Sequence, residues 1–234
     1  MASLSGKLAE LKIDHALITF SITLEDQFPG FIPGQYCRVT MTDAPSTDIR
    51  GNSRTFCVTK YDGSERKVTF CTLKGPSAFK SNLQSLRIGH IFKVQGPFGN
   101  FYLPGESERN VFIAYGIGIT SMISIASLIV ERETGSAIFL HGSYPDGFFP
   151  LRKEMEEITA NSDHARYIPV MTLEGDEKNS VGFSRILQDN SFQYIESATF
   201  YLSGPDKIMK EIRNDLMLNR ISQDNIRSEF YTGY

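Results

Sequence analysis

The sequence predicts two domains, a small antiparallel β-barrel followed by an α/β domain with a parallel sheet. Its 234 residues are enough for one large domain or two compact ones, at ~150 residues per domain. Residues 7–103 form short strand patterns separated by Gly/Pro turns, which is typical of a small barrel. Beyond Pro104, strand and helix patterns alternate, which indicates parallel strands covered by helices. We therefore place the join within residues 103–109 and divide the chain into domains 1–105 and 106–234.

The strands of the predicted barrel are short segments rich in β-branched and aromatic residues. Residues 16–23 show the clearest alternation, because Ile18, Phe20 and Ile22 share one face. The further strand candidates are residues 34–41, 55–60, 67–73 and 90–95. One helix is predicted among them at residues 77–86, where apolar side chains recur three and four residues apart.

The second half of the chain predicts strands and helices in alternation. Strands are expected at residues 111–114, 137–141, 166–171, 198–202 and 226–231. Helices are expected at residues 119–130, 150–159, 183–188 and 205–218. The last helix is the best marked, because Ile208, Ile212 and Leu216 form one apolar stripe. This order of elements predicts consecutive βαβ units.

Charge and cysteine content exclude several classes of partner. The 24 Lys and Arg residues are balanced by 27 Asp and Glu residues, and no basic run is present, so a nucleic-acid partner is not expected. Three scattered cysteines without a C-x-x-C pair favour neither a disulfide framework nor an iron–sulfur or zinc site. We therefore expect no bound metal.

An uncharged run of twenty residues at 111–130 resembles a membrane span in hydropathy alone. Two glycines, a threonine and three serines interrupt it, and soluble α/β patterns flank it. We interpret it as a buried strand, a glycine turn and a buried helix, and we expect no membrane span. Because the N-terminal residues lack a basic segment followed by an apolar one, we expect a cytoplasmic location.

Two turns in the second half have the character of ligand-binding turns. Gly116 and Gly118 lie between a predicted strand and a helix, where backbone N–H groups and the helix dipole favour a phosphate. Ser203 and Gly204 end another strand before the next helix. The alternative is that the two glycines serve packing only, since many βα turns contain such pairs.

Arg54 begins a predicted barrel strand and precedes an aromatic residue, Phe56, on the same face. An arginine at a strand start is well suited to pair with a phosphate. The alternative is an exposed arginine beside a core phenylalanine, and the pattern does not separate the two.

The order of the motifs resembles that of the ferredoxin–NADP reductase superfamily, flavoproteins with an N-terminal flavin barrel and a C-terminal nicotinamide domain. The motifs are FIPGQY at 31–36, RTFC at 54–57, GPFGNF at 96–101, AYGIGIT at 114–120, YLSGP at 201–205 and EFY at 229–231. They cover nearly the whole chain in the family's order. The compact length is similar to the small NAD(P)H–flavin reductase-like members and reductase subunits of the family.

The resemblance implies a flavin site in the barrel, with FAD the commoner cofactor and FMN the rarer one. Arg54 with Thr55 would contact the flavin phosphate, Phe56 would pack on the isoalloxazine ring, and Cys57 would lie near flavin N5. The family's pyrophosphate turn corresponds to Lys74, Gly75 and Ser77, with Ser81 as an alternative hydroxyl. Near the C-terminus, Glu229 and Tyr231 would close the far side of the flavin.

The resemblance also implies a nicotinamide dinucleotide, NADH or NADPH, as substrate. Gly116, Gly118 and Thr120 would hold its pyrophosphate, and Ser203 would lie beside the nicotinamide, followed by Gly204 and Pro205. The acidic segment 172–178 favours NADH, because an NADPH site normally supplies a cation. The catalytic candidates are Cys57, Ser203, Glu229 and Tyr231.

The implied activity is hydride transfer from nicotinamide to flavin, with electrons passed to a separate acceptor, a ferredoxin-like or other redox protein or free flavin. Three positions depart from the family's motifs: Tyr115 replaces a glycine, Cys57 a serine or threonine, and Ser203 a cysteine. These departures support an alternative function, a non-catalytic nucleotide-binding subunit with a regulatory or assembly role.

Overall fold

A computed structural model describes residues 2–103, 109–133, 135–171, 183 and 197–231. The chain divides into two compact units, Met1–Tyr102 and Leu103–Tyr234. The first contains a closed antiparallel barrel and the second a parallel sheet with helices, which confirms the predicted fold class.

The barrel has six strands in the order β1-β2-β5-β4-β3-β6. They are β1 (Ala2–Asp14), β2 (Leu17–Leu24), β3 (Tyr36–Met41), β4 (Ser53–Asp62), β5 (Lys67–Leu73) and β6 (Ile91–Phe98), and β6 closes the barrel on β1. Helix α1 (Ala78–Ser85) lies between β5 and β6 and packs Phe79 and Leu83 into the barrel core.

The barrel core follows from the alternation of its strands. In β2 the residues that share the apolar face, Ile18, Phe20 and Ile22, are all fully buried. The ring of Phe20 lies 5.3 Å from the rings of both Phe56 and Phe70, between centroids. The core is therefore centred on aromatic side chains from neighbouring strands.

Strand β1 is absent from the strands that the sequence predicts. Its residues 7–12, KLAELK, are rich in good helix formers and show no run of β-branched residues. The strand forms because β2 and β6 both offer open edges to it. Gly6 allows the close approach, since a Cβ there would lie 2.6 Å from Cγ2 of Ile22.

The second unit is a five-stranded parallel sheet in the order β11-β10-β7-β8-β9. Its strands are β7 (Arg109–Tyr115), β8 (Ser136–Gly142), β9 (Ala165–Val170), β10 (Thr199–Pro205) and β11 (Ile226–Tyr231). The α-helices among its described residues are α2 (Thr120–Arg132), α3 (Arg152–Thr159) and α4 (Asp206–Leu218). The predicted helix at 183–188 lies outside the described residues except for Phe183, which is buried.

The uncharged run at 111–130 is divided as expected. It comprises most of β7, a 3₁₀ turn at Gly116–Ile119 and most of α2. Within the described ranges, no helix is both long and apolar enough to cross a membrane. Val111 and Ile113 pack with α4 on one side of the sheet. Alternate residues of β7 therefore face the opposite side.

Candidate functional site

The two turns that the sequence analysis identifies meet at the carboxyl ends of β7 and β10. These strands are adjacent and parallel, with Ser203 paired to Ala114. A Cβ built on Gly118 would lie 2.2 Å from the carbonyl oxygen of Ser203, so the turns are in direct backbone contact. From β7 the chain adds β8 and β9 on one side of the sheet, and then β10 and β11 on the other side of β7. Open parallel sheets bind ligands at such a switch point.

Gly118 has a packing role at this point. The backbone of β10 fills the space that a side chain would need, and backbone cannot rotate away. The hydroxyl of Ser121 bonds the carbonyl oxygen of Gly118 at 3.0 Å and the hydroxyl of Ser203 at 2.9 Å. Ser121 and Ser203 are both fully buried, so this contact is fixed from within the protein. A contact of Gly118 with a dinucleotide stays a prediction.

Tyr144, which the sequence analysis does not identify, covers the first glycine of the turn. Gly116 has a positive φ of 52°, and a Cβ there would lie 2.4 Å from Cζ of Tyr144. The amide of Ile117 donates to the Tyr144 hydroxyl at 3.3 Å. The phenol thus supplies the oxygen acceptor that the turn's amide would otherwise take from a ligand.

Thr120, Gly204 and Pro205 are the remaining predicted residues of the two turns. The hydroxyl of Thr120 donates to the carbonyl oxygen of Ile117 at 2.9 Å, which tightens the turn before α2. Gly204 has a positive φ of 156°, and Pro205 immediately precedes α4. Contacts of these residues with a dinucleotide stay a prediction.

Tyr115, which stands where the motif that the chain resembles has a glycine, is buried in the core beside α4. Glycines on both neighbouring strands make room for it. A Cβ on Gly142 would lie 3.1 Å from Cδ2 of Tyr115, and a Cβ on Gly204 would lie 3.2 Å from its Cβ. The Tyr115 side chain is therefore accommodated by the sheet itself rather than placed in solvent above the turn.

His141, near the end of β8, is hydrogen-bonded to the glycine turn. Its Nε2 lies 2.9 Å from the carbonyl oxygen of Gly116, and its Nδ1 lies 2.8 Å from the hydroxyl of Tyr167. Complete burial lowers the pKa of His141 to about 4, and the hydrogen bond to Gly116 offsets only part of this effect. The imidazole is therefore neutral at pH 7 and has a positioning role.

In the barrel unit, Arg54 is held by four other residues. Its Nη1 donates to the carbonyl oxygens of Arg50, Gly51 and Ser53 at 3.3, 3.0 and 2.8 Å. Its Nη2 donates to both carboxylate oxygens of Asp48 at 2.8 and 2.7 Å. The Arg54 side chain is 13% exposed, so it is neither a free surface arginine nor an unengaged phosphate ligand.

Asp48 joins Arg54 to the start of α1, and no sequence pattern identifies it. Its Oδ2 accepts from the amide of Ala78 at 2.8 Å, and its Oδ1 accepts from the amide of Arg50 at 2.9 Å. Burial alone would raise the pKa of Asp48, but hydrogen bonds from Ala78 and Arg54 outweigh it and lower the pKa. An anion therefore occupies the point where Arg54 and the N-terminus of α1 converge.

The residues that follow Arg54 alternate across β4. Thr55 is exposed, Phe56 packs in the barrel core, and Cys57 is buried on the opposite side of the strand from Phe56. Within the core, the centroid of the Phe56 ring lies 5.6 Å from that of the Phe79 ring. A contact of Phe56 or Cys57 with a flavin stays a prediction.

The predicted pyrophosphate turn leads into α1. Ser77 is the N-cap of this helix, and its hydroxyl accepts from the amide of Lys80 at 3.3 Å. Lys74 and Ser81 are exposed, and Gly75 lies against the side chain of Lys80. Of this group, Ser77 is therefore the residue placed directly at the helix N-terminus beside Asp48.

Glu229 and Tyr231 lie in β11. Their backbones pair with Ser203 and Pro205 of β10, so Glu229 is level with the switch point. The side chain of Tyr231 and the acidic segment 172–178 lie outside the described part of the chain. Among the described residues, no cluster of three His, Cys, Asp or Glu side chains is placed to hold a metal ion.

No protein-family model matches the chain. A flavohemoprotein of Oceanobacillus iheyensis is 24% identical over 96% of this chain and 57% of its own length. The anthranilate 1,2-dioxygenase electron transfer component of Acinetobacter baylyi is 23% identical over 85% of this chain and 57% of its length. The chain thus spans little more than half the length of these relatives.

Solved structures share the fold over nearly the entire chain. The FAD/NAD binding domain of a nitric oxide dioxygenase from Vibrio cholerae gives a TM-score of 0.79 at 15% identity, covering 97% of this chain and 98% of that domain. A ferredoxin reductase of carbazole 1,9a-dioxygenase gives 0.79 at 18% identity, over 99% of this chain and 70% of the other. In sequence the chain resembles a flavohemoprotein and a dioxygenase electron transfer component, and in fold it resembles a ferredoxin reductase and an FAD/NAD binding domain. These likenesses confirm the resemblance to the ferredoxin–NADP reductase superfamily that the order of the motifs predicts.

Proposed function

We propose that the chain is an FAD-dependent NAD(P)H oxidoreductase module that transfers a hydride from nicotinamide to flavin. The observation that supports this most is the pairing of a closed barrel with a parallel sheet whose two candidate turns meet at one switch point. The similarity to reductase modules supports the same activity.

The donor groups of the barrel are of the kind that a flavin phosphate needs. Nη2 of Arg54 and the amide of Ala78 already hold a carboxylate in charge-assisted hydrogen bonds. A phosphate oxygen accepts the same bonds, and the N-terminus of α1 adds its dipole. FAD is the proposed cofactor, and FMN would use the same donors with one phosphate.

The donor groups of the glycine turn are of the kind that a dinucleotide needs. The amide of Ile117 donates to an oxygen, that of Tyr144, and α2 begins directly after the turn. We propose that Gly116, Gly118 and Thr120 hold the pyrophosphate, and that Gly204 and Pro205 follow Ser203 beside the nicotinamide. NADH is the proposed substrate, because segment 172–178 is acidic and an NADPH site normally supplies a cation.

Bound FAD would supply the hydride-accepting chemistry, and the protein's contribution would be binding and orientation. Arg54 would anchor the phosphate end of the flavin, and Cys57 in β4 would border its ring system. Ser203 is already fixed by Ser121, so the end of β10 does not need to reorganise when a ligand binds.

The electron acceptor is proposed to be a separate molecule, either a redox protein or free flavin. One relative is named as the electron transfer component of a dioxygenase, which supports a protein acceptor. Assays of NADH oxidation with free FMN, a ferredoxin and a cytochrome separate these acceptors.

The flavin site is tested by Arg54→Ala. Charge-assisted hydrogen bonds contribute roughly 1.5–3 kcal/mol each, so losing them should weaken FAD binding about tenfold to a hundredfold. Fluorescence titration of FAD measures this loss. The matched control is Arg66→Ala, which removes another barrel arginine that donates to a backbone carbonyl, that of Glu25 at 2.8 Å. Unchanged FAD affinity in Arg54→Ala would show that Arg54 does not hold the flavin phosphate.

One observation favours the alternative function, a non-catalytic nucleotide-binding subunit. The protein's own side chains already occupy donors in both units, Asp48 at Arg54 and Tyr144 at the amide of Ile117. A purified protein that is colourless and takes up no added FAD would favour this alternative. Reduction of bound FAD by NADH under anaerobic conditions would exclude it.

A further inference from the structure

Asp48 occupies an anion-binding point that the rest of the barrel unit constructs. We call this point the Arg54 seat and define it by Nη2 of Arg54 and the backbone amide of Ala78. Both donors bond Asp48, at 2.7–2.8 Å. Its oxygens thus take the positions at which an external anion would be bound by the same donors.

The Arg54 side chain also has contacts that do not involve the carboxylate of Asp48. Nη1 of Arg54 is fixed by the carbonyl oxygens of Arg50, Gly51 and Ser53, and the guanidinium carbon lies 5.8 Å from the ring centroid of Phe79. The Asp48 carboxylate is a partner in none of these contacts, although its Oδ1 also accepts from the amide of Arg50. The seat is therefore preorganised for an anion, and Asp48 is its removable occupant.

Asp48 has a route out of the seat. Its side chain is 25% exposed and lies in the loop between β3 and β4, where its carbonyl oxygen accepts from the amide of Gly51 at 2.8 Å. Rotation of the side chain toward solvent leaves this backbone contact intact. A carboxylate and a phosphate cannot share the two donors, because like charges at contact distance repel each other.

We propose that Asp48 is a resident competitor at the Arg54 seat, which a flavin phosphate must displace in order to bind. This inference rests on the proposed function and deepens it, because it makes Asp48 a determinant of specificity toward phosphorylated flavins. Asp48 lowers the affinity for FAD and FMN and leaves the affinity for riboflavin, which has no phosphate, unaffected. An alternative role, in which Asp48 holds Arg54 in place for the phosphate, predicts the opposite sign.

The test compares three flavins against Asp48→Asn. Asparagine keeps the shape of the side chain but loses the charge that competes for Arg54. Its single oxygen replaces only one of the two carboxylate oxygens that accept from the amides of Ala78 and Arg50. FAD and FMN should bind about tenfold tighter and riboflavin within about twofold of the parent, measured by fluorescence titration. Asp48→Ala should shift the affinities in the same direction. Circular dichroism and thermal unfolding confirm that each variant is folded.

Asp62→Asn is the matched control. Asp62 is also a loop carboxylate of the barrel unit that accepts backbone amides, those of Ser64 at 2.9 Å and Glu65 at 3.1 Å, but it does not contact Arg54. The Asp62→Asn variant should leave the affinities for FAD, FMN and riboflavin unchanged. In the double variant Asp48→Asn with Arg54→Ala, the gain for FAD and FMN should disappear.

Three results would overturn the proposal: weaker FAD binding in Asp48→Asn, unchanged FAD binding, or an equal gain for riboflavin. Inorganic pyrophosphate, titrated by calorimetry, separates this failure from failure of the proposed function. If neither parent nor variants bind any flavin, the proposed function fails. Tighter pyrophosphate binding in Asp48→Asn still supports the resident competitor, and equal or weaker pyrophosphate binding overturns it.

Discussion

The imidazole of His141 connects the glycine turn to β9 through its two ring nitrogens. A carbonyl oxygen only accepts, so the proton lies on Nε2, which donates to Gly116. Nδ1 then accepts from the hydroxyl of Tyr167, whose pKa is raised by burial. A second proton on the ring would oppose the Tyr167 bond and bury a charge. The turn's position is therefore coupled to the neutral state of one histidine.

This coupling predicts a pH-dependent stability. The pKa of His141 is about 4 in the folded protein and about 6.5 in the unfolded chain, so the unfolded chain takes up the proton first as the pH falls. The contribution of neutral His141 to the free energy of unfolding is complete above pH ~6.5. It is lost as the pH falls toward 4, by at most about 3 kcal/mol. Urea unfolding at pH 7.5 and 5 measures it.

A second histidine, His164, provides the control for this measurement. His164 also bonds a backbone carbonyl through one ring nitrogen, that of Gly135 at 2.8 Å, but it is only half-buried. His141→Gln should reduce the loss of stability between pH 7.5 and 5, whereas His164→Gln should retain it. Equal pH dependence in both variants would contradict the assignment to His141.

Single residues of the site were predictable from sequence only where a motif contains them. Arg54 and Gly118 belong to short patterns with a physical reason, a cation at a strand start and a glycine at a tight βα turn. Asp48 and Tyr144 do not, because their partners are a helix terminus and a turn distant in sequence. Such contacts depend on tertiary structure, which periodicity in one chain does not encode.

Among the secondary-structure elements, the strands and helices with clear periodicity were predictable and β1 was not. The strand at residues 67–73 and the helix at 205–218 agree with β5 and α4 to within one residue. In β1, partly buried and exposed positions follow each other without a regular alternation, and only Gly6 and Leu8 are fully buried. Its pairing with two other strands outweighs its weak intrinsic preference.

The β7–turn–α2 element predicts a penalty for filling one glycine. In Gly118→Ala, the new Cβ would contact backbone atoms of Ser203 and Gly204, which must shift. We expect a loss of about 1–3 kcal/mol in the free energy of unfolding, measured in urea. Gly63→Ala is the control, because its nearest neighbour would be 3.8 Å away, and it should change stability by less than about 0.5 kcal/mol. Similar losses in both variants would argue against the close contact.

The chain as a whole places its two candidate sites in separate units, each with its own core. The Arg54 seat lies in unit Met1–Tyr102, and the glycine turn lies in unit Leu103–Tyr234. This organisation follows from the change of pattern near Pro104, since a barrel and a parallel sheet need different connections and cannot share one sheet. The identity of the electron acceptor has no comparable signal, because acceptor surfaces lack a fixed pattern.

Two sites in two units predict that flavin and dinucleotide affinities respond to different variants. Arg54→Ala should weaken FAD binding about tenfold or more and leave NADH binding within about twofold of the parent, because it removes donors only from the barrel. Gly118→Ala should do the reverse, because it displaces the switch point in the other unit. Calorimetric titration of each ligand, at a temperature where both variants are folded, measures all four affinities. If each variant weakens both ligands equally, the two sites are not separable and the assignment of one ligand to each unit is wrong.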